Sequence, residues 1–316
     1  MRFLFALLAA ASLQAFAQPF PHKPVRIIVP FTPGSATDIL ARSISDRLGA
    51  ALGQPVLVEN RPGAGGTIGT AVVAKSPPDG HTLAVVSAGH AINPAIYENL
   101  PYDSAKDLAG VIPLASLPSA LIVPAGLGVK TVQELIALAK AKPGALNYTS
   151  AGIGSASHAN AEKFRAAAGI QAVHVPVKGA PEMVQETMAG RVHFSFPGIV
   201  STVSAVNEGR ILALAVSSPR RSQAFPGVPT IAEAGLPAGE FNFWIGMLAP
   251  SQTPRAVIQR LHDEIARVLQ LPEVRDRLAK LGAEPMPMSP EQFDQLMRDD
   301  LATLGPLMRA AGVKAQ

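Results

Sequence analysis

The sequence predicts an α/β protein of two lobes joined by two crossings, with a ligand cleft between them. Three observations carry this reading. Short β-branched runs alternate with helix-like runs, the alternation stops and restarts, and two stretches rich in Pro and small residues interrupt it. In order, "VRIIVPF" precedes a helix from about Asp38 to Leu52, and "PVLVENR" precedes the helix-like "GAGGTIGTAVVAKSPPDG", which ends at Pro77. "TLAVVSAG" follows. Such alternation implies a parallel sheet covered on both faces. The restart begins at "ALIVPA", before a helix opened by Thr131 with Glu134 at capping-box spacing. "LNYTS" precedes a helix over Ala156 to Ala168, "QAVHVPV" precedes "APEMVQETMAG", and "RVHFSFPG" and "ILALAVSS" complete the set. The last third is helical, with Thr253 as N-cap and Pro254 at N1, a device repeated by Ser289 and Pro290.

The stretches "LPYDSAKDLAGVIPLASLPS" and "SPRRSQAFPGVPTIAEAGLPAGEFNFW" do not alternate and read as the crossings. The expected division is a discontinuous first lobe, residues 18–118 and 240–316, with residues 119–239 inserted as the second. No repeat at solenoid spacing and no low-complexity tract is present.

Composition narrows the function. The net charge of +4 is scattered over 316 residues without a Lys/Arg run, so no clustered face for nucleic acid forms. Arg2, the apolar "FLFALLAAASL" and the small residues of "AFA" read as a secretory signal peptide over residues 1–17, cut between Ala17 and Gln18. No later run reaches membrane-spanning length. With no cysteine there is no disulfide, thiolate ligand or lipid-anchored N-terminal Cys. The expectation is an exported periplasmic protein, not membrane-inserted, and a monomer.

Two strand–helix joints stand out, "VPF-TPGSATD" and "NYT-SAGIGSASH". Each passes through Gly and small hydroxyl residues into a helix start. Helix N-termini carry unpaired N–H groups and partial positive charge, and glycine lets a ligand approach the backbone. One such joint per lobe could hold an anion from both sides without Arg or Lys. Each also reads as a plain cap: Ser35 with Asp38 has S-x-x-D spacing, and Ser155 is an ordinary N-cap residue. The pairing across two lobes is what favours a site.

Other motifs are incomplete. "GAGGTIG" has Ile68 where a dinucleotide fingerprint needs its third Gly, and "GIGSAS" fails likewise at Ser157. No G-x-S-x-G or H-E-x-x-H occurs, and neither a cofactor nor a metal is indicated. Ser35, Ser87, Ser155 and Ser157 with His90, His158 and His193 leave a hydrolytic triad open by residue count alone. Trp244, the single tryptophan, suits core packing or a cleft wall, and Lys178 suits a solvated loop or an anionic ligand.

Together, "PVRIIVPFTPGSATDILAR", "ENRPGAGG", "PDGHTL", "HAINPAIY", "LNYTSAGIGSASHANAEKF", "VPVKGAPE" and "FPGVPTIAEAGLP…FWIGMLAPSQTP" resemble the Bug family, the periplasmic solute-binding receptors of tripartite tricarboxylate transporters. The resemblance covers the chain from about Pro24 to the final helices. It implies a type II-like periplasmic-binding-protein fold that closes on a small carboxylated solute, a mono-, di- or tricarboxylate, an amino acid or an aromatic acid, and delivers it to transporter membrane subunits. The family pattern, carried onto matching positions, implies ligand contacts at Thr32, Pro33, Gly34, Ser35, Ala36 and Asp38, and at Ser150, Ala151, Gly152, Gly154, Ser155 and His158. Ser87 and His90 follow the third strand, and Val177, Lys178, Gly179, Pro197 and Gly198 would line the inserted lobe. Departures fall at Ser35, where the family usually has Gly, at Val177, commonly Tyr, and at His193, commonly Asp. Asp38 would cap its helix or meet a ligand ammonium. Two other functions remain open: a sensor that docks on a receptor kinase, and a secreted serine hydrolase.

Overall fold

The structure is a computed structural model that describes residues 20–280 and 282–313. The signal-peptide reading and its cleavage point lie outside these residues. The chain opens with β1 (Val25–Val29), α1 (Ala36–Leu52), β2 (Val56–Asn60), α2 (Thr67–Ala74), β3 (Thr82–Ser87), α3 (Asn93–Ile96) and β4 (Leu108–Ser116). It continues through β5 (Ala120–Pro124), α4 (Val132–Ala141), β6 (Leu146–Ser150), α5 (Ala156–Ala168), β7 (Ala172–Pro176), α6 (Ala180–Met188), β8 (Phe194–Ser195), α7 (Val203–Asn207) and β9 (Ile211–Val216). It ends with β10 (Trp244–Pro250), α8 (Arg255–Leu269), α9 (Pro272–Lys280) and α10 (Pro290–Ala310).

Two five-stranded sheets form, ordered β2-β1-β3-β10-β4 and β7-β6-β8-β5-β9. The orders superpose term by term. In the first sheet, β1 runs parallel to β2 and β3; in the second, β6 runs parallel to β7 and β8. Val25, Ile27, Ile28 and Val29 are fully buried, as a parallel strand covered on both faces requires. The cores lie on either side of each sheet: Leu40, Ile44 and Leu48 of α1 pack on one face of the first, and Phe293 and Met297 of α10 on the other. In the second sheet, Leu135 and Phe164 cover one face and Val184 and Ile199 the other.

The expectation of wholly parallel sheets is corrected by the fourth position of each. β10 is antiparallel to β3 and β4, and β5 is antiparallel to β8 and β9. Each of these strands has just arrived from the other lobe, so its direction is set by the crossing and not by a β–α–β turn. The stretch read as the first crossing is also corrected: it contains β4, and only Leu117, Pro118 and Ser119 cross. Pro113 disguised β4, and it is tolerated because β4 is an edge strand whose register slips where Pro113 meets Gly246. The second crossing, residues 217–243, has no strand, as expected.

The two crossings are stitched together. Leu117 N donates to Phe243 O (2.7 Å), Ser217 N to Ser119 O (2.8 Å) and Phe241 N to Ser217 O (2.9 Å). Among the caps, Ser289 caps the last helix with Pro290 behind it, as the spacing predicts, and Gln292 adds a full capping box beyond that expectation. Thr253 does not cap its helix: Pro254 is extended (φ −54°, ψ 137°) and holds the N-cap place itself. The helix expected to reach Pro77 stops at Ala74.

Candidate functional site

The matching sheet orders make β1 the counterpart of β6, so the two joints noted in the sequence occupy the same place in each lobe. Both lie at the carboxyl end of a strand whose neighbours lead the chain in opposite directions, the crevice where open α/β sheets hold ligands.

Their internal geometry repeats. Gly34 (φ 80°) and Gly154 (φ 74°) turn the chain with positive φ. Ser35 (φ −67°, ψ 158°) and Ser155 (φ −68°, ψ 160°) are the N-caps of α1 and α5. Their hydroxyls accept from Asp38 N and His158 N, each at 3.3 Å. The same hydroxyls contact Thr37 Oγ1 (2.9 Å) and Ser157 Oγ (3.1 Å). Gly34 N donates to Asp38 Oδ2 (2.9 Å), and Gly154 N to His158 Nδ1 (3.2 Å). With the third amide of each helix taken by its cap, Ala36 and Thr37 in α1, and Ala156 and Ser157 in α5, have no intrahelical acceptor for their N–H groups. Ser35 needs no glycine-like freedom, because Gly34 beside it carries the positive φ.

Asp38 is buried and fully engaged. Its Oδ1 accepts from Arg42 Nε (3.0 Å) and Asn60 Nδ2 (2.9 Å), and Asn60 Nδ2 also reaches Phe31 O (3.0 Å). Burial opposes its ionisation, but the bonds from Arg42, Gly34 and Asn60 outweigh that and hold its carboxyl below the usual carboxylate range. Asp38 therefore locks the first loop and has no oxygen turned to a ligand ammonium.

His158 works differently. Its ring stacks on His174 of β7 at 3.8 Å between centroids. Burial, and then the charge of Arg165, push His158 down to about 4. Burial and then the neighbouring His158 push His174 to about 4. Behind them, the Tyr148 hydroxyl bonds Glu162, which pairs with Arg165 (2.5 Å). Burial, then Glu162, raises the Tyr148 pKa. Ser150 Oγ lies 2.7 Å from His174 Nε2. This is a Ser–His contact, but Ser150 is fully buried, and no acid hydrogen-bonds the His174 ring among the described residues.

The remaining candidates divide. Val177 N donates to Ser150 O (2.8 Å), and Gly152 lies beside Val177 O, so Val177 borders the second loop. Lys178 is exposed, and its N–H caps onto Glu182 (2.9 Å); Gly179 precedes α6 in extended backbone. Gly89 reaches the second loop from the other lobe: a Cβ on it would lie 3.7 Å from Gly154 O, and 3.5 Å from Ser87 Oγ, which stands beside it in its own lobe. Pro197 and Gly198 sit against the first crossing, through Ala120 N to Pro197 O (3.0 Å) and the bridge of Gly198 to Ser119. His90 points away from the loops, into the first lobe, stacked near-parallel on Tyr102; burial pushes it to about 4. Trp244 is fully buried, edge-on to Phe293 at 5.1 Å, with Nε1 donating to Asp300 (2.6 Å), so it packs the core at the foot of the second crossing. His193 bonds Asn147 at the amino end of β6, away from the loop.

The sheet correspondence identifies one segment that sequence reasoning missed. "RPGAGG" after β2 is the counterpart of "VKG" after β7. Gly65 and Gly66 there have positive φ; a Cβ on Gly66 would lie 3.2 Å from Phe31, beside the first loop, and one on Gly65 2.9 Å from the Tyr97 hydroxyl. Only the sheet order links the two segments; their sequences share little. A cavity of about 510 Å³ lies elsewhere, lined in part by Ile112, Leu114, Leu269, Leu278, Met286 and Met288, and takes in neither loop. Among the described residues, no three His, Asp or Glu side chains group to hold a metal, and no helix is long and apolar enough to cross a membrane.

Similar proteins place this geometry. MatC from Rhodopseudomonas palustris, solved with bound malate, superposes with a TM-score of 0.78 at 33% identity over 91% of this chain and 99% of its own. R. palustris Rpa4515, solved with adipate, gives 0.80 at 34% identity over 93% and 99%. By sequence, the UPF0065 protein in the tcbD-tcbE intergenic region of Pseudomonas sp. (strain P51) is 39% identical over 89% of this chain and 84% of its own length. BugT of Bordetella pertussis is 33% identical over 98% and 96%. Residues 40–313 match the family described as "Tripartite tricarboxylate transporter family receptor". A two-lobed fold with twin capped loops, Bug relatives along nearly the whole chain, and this match lead to one conclusion: the chain belongs to the tripartite tricarboxylate transporter receptor family, the Bug-type solute-binding receptors.

Proposed function

We propose that this receptor is exported, binds a small carboxylate between the twin loops, and passes it to transporter subunits in the membrane. The observation that carries the reading is the repeated geometry: two capped helix starts at equivalent crevices, each with two N–H groups lacking an intrahelical acceptor. The malate and adipate bound by the two relatives fit that chemistry. In this reading the Sec-type leader of residues 1–17 directs the chain to the periplasm, where it acts as a binding protein without catalysing a reaction. Residues 18–118 and 240–316 form one lobe, and 119–239 form the other. The contacts are the backbone and small hydroxyls of Thr32–Ala36, Ala151–Ser155, Ser87 and Val177–Gly179, with Ser150 buried behind them, and the stitched crossings at residues 117–119 and 217–243 act as the hinge. Asp38 and His158 shape the loops from behind.

A thermal-shift screen of carboxylates, amino acids and neutral solutes tests the reading, because binding to the native state raises Tm with occupancy. A carboxylate should give the largest shift; a neutral solute that shifts Tm where no carboxylate does would remove the anion argument. For the carboxylate found, Ser155→Ala should weaken binding by roughly 1.5–3 kcal/mol in calorimetry, the scale of a hydrogen bond to a charged group.

A further inference from the structure

We propose that His174 is the positioning residue of the second loop. From the edge strand β7 it fixes, through Ser150 and His158, the direction in which the Gly152 and Gly154 amides point. Its importance for ligand binding rests on the carboxylate reading above; its effect on the loop does not.

The argument starts at Ser150, the last residue of β6. Its hydroxyl donates to Gly152 O (3.0 Å), and its oxygen accepts from Gly152 N (3.3 Å). We assign the one proton of Ser150 to Gly152 O, which leaves Oγ to accept from His174 Nε2 at 2.7 Å and puts the imidazole proton on Nε2. Gly152 has φ 118° and no side chain, and its carbonyl also takes Ser155 N (3.2 Å), so the turn depends on this hub for its shape. The same imidazole lies flat against His158, whose Nδ1 receives Gly154 N (3.2 Å). One ring therefore backs both glycines of the turn. Tyr148, the register partner of His174 on β6, packs beside the same ring at 4.9 Å and restrains its rotation. The first loop has no such buttress: the position facing it from β2 is Val58, the register partner of Ile27.

The purified protein gives a ligand-free test by nitrogen-resolved NMR. The wild type should show a His174 Nε2–H proton protected from water exchange. His174→Phe keeps an aromatic ring on His158 but removes the donor, and should speed amide exchange at Gly152 by about ten-fold, the loss expected of one hydrogen bond, while Gly154 stays near the wild-type rate. His174→Gln, whose amide N–H reaches the place of Nε2, should restore Gly152 to near the wild-type rate but, having lost the stack, should speed exchange at Gly154. The proposal is overturned by an absent Nε2–H signal, by wild-type exchange at Gly152 in the Phe variant, or by the same pattern of exchange at Gly152 and Gly154 in the Gln and Phe variants. Malate titration forms a separate arm. If malate and the other acids of the screen fail to bind the wild type, the carboxylate reading is lost, and the exchange rates still decide the role of His174.

Discussion

The loops after β1 and β6 are the same turn built with opposite chemistry behind it. "GSATD" and "GSASH" share the positive-φ glycine, the serine cap, the second hydroxyl and the side chain that reaches back to the glycine amide. In the first loop that side chain is a carboxylate, saturated by Arg42, Asn60 and Gly34. In the second it is a neutral imidazole resting on another. The comparison teaches that the fold requires an acceptor at this position and is indifferent to its charge. An anionic acceptor needs a cation close by, and Arg42 supplies it. A neutral acceptor needs burial, which lowers the histidine pKa and keeps Nδ1 free to accept.

The sharpest way to break the comparison is at the glycines. A Cβ on Gly154 would lie 2.3 Å from Ile96 Cδ1 of the other lobe, whereas a Cβ on Gly34 meets nothing within 4 Å. Gly154→Ala should therefore cost about 2 kcal/mol, combining left-handed backbone strain with displacement of the Ile96 terminal methyl, against about 1 kcal/mol for Gly34→Ala. Equal losses in urea unfolding would mean that the lobes do not press together at this loop. Of similar size is Asp38→Ala, which strands the Gly34 amide and Asn60 and should destabilise by about 2–3 kcal/mol; Arg42 is half-exposed and rehydrates.

Acid acts on both loops with the same sign but in different pH ranges. A histidine held neutral in the fold binds its proton more readily when unfolded, so stability is complete above pH 6.5 and falls by up to about 1.4 kcal/mol per pH unit for each such group. For His158 and His174 this loss runs from pH 6.5 down to about 4. Asp38, with its folded pKa depressed, contributes stability above its unfolded value of 3.8 and loses it only as pH falls further. Melting curves should therefore decline in the upper window first, and His174→Phe should flatten that decline by up to one proton. A flat profile down to pH 4 would contradict the neutral pair. The smallest effect belongs to Ser35→Gly, which restores the usual family residue. Because Gly replaces a Ser cap at a cost of only a few tenths of a kcal/mol, stability should barely change.

Much of this was legible because caps and turns are local. Ser35, Ser155, Thr131 and Ser289 all cap the helices their spacing announced. Local rules failed where tertiary partners decide. Pro113 hid an edge strand that is held only by β10, and Thr253 lost its cap to a proline in extended backbone. His90 reads as a cleft residue and Trp244 as either core or cleft wall, yet both side chains turn into the core, a choice set by contacts with Tyr102 and Phe293 that local spacing does not reveal. The segment Arg61–Gly66 could not be matched to Val177–Gly179 before the sheet order was known, since the two are related by position and not by residue.

The exchanged fourth strands carry a consequence for folding order. Every strand of the second sheet lies between Ala120 and Val216, so that sheet can close as soon as this stretch of chain exists. The first sheet cannot: β3 and β4 are never neighbours, and the gap between them is filled by β10, where Ala84 pairs with Leu248. Because closing long loops slows folding, the inserted lobe should form first and the N-terminal strands should wait with an open slot. Pulse-labelled exchange during refolding should protect Tyr148 before Ala84, making the part of the chain synthesised first the last to become complete.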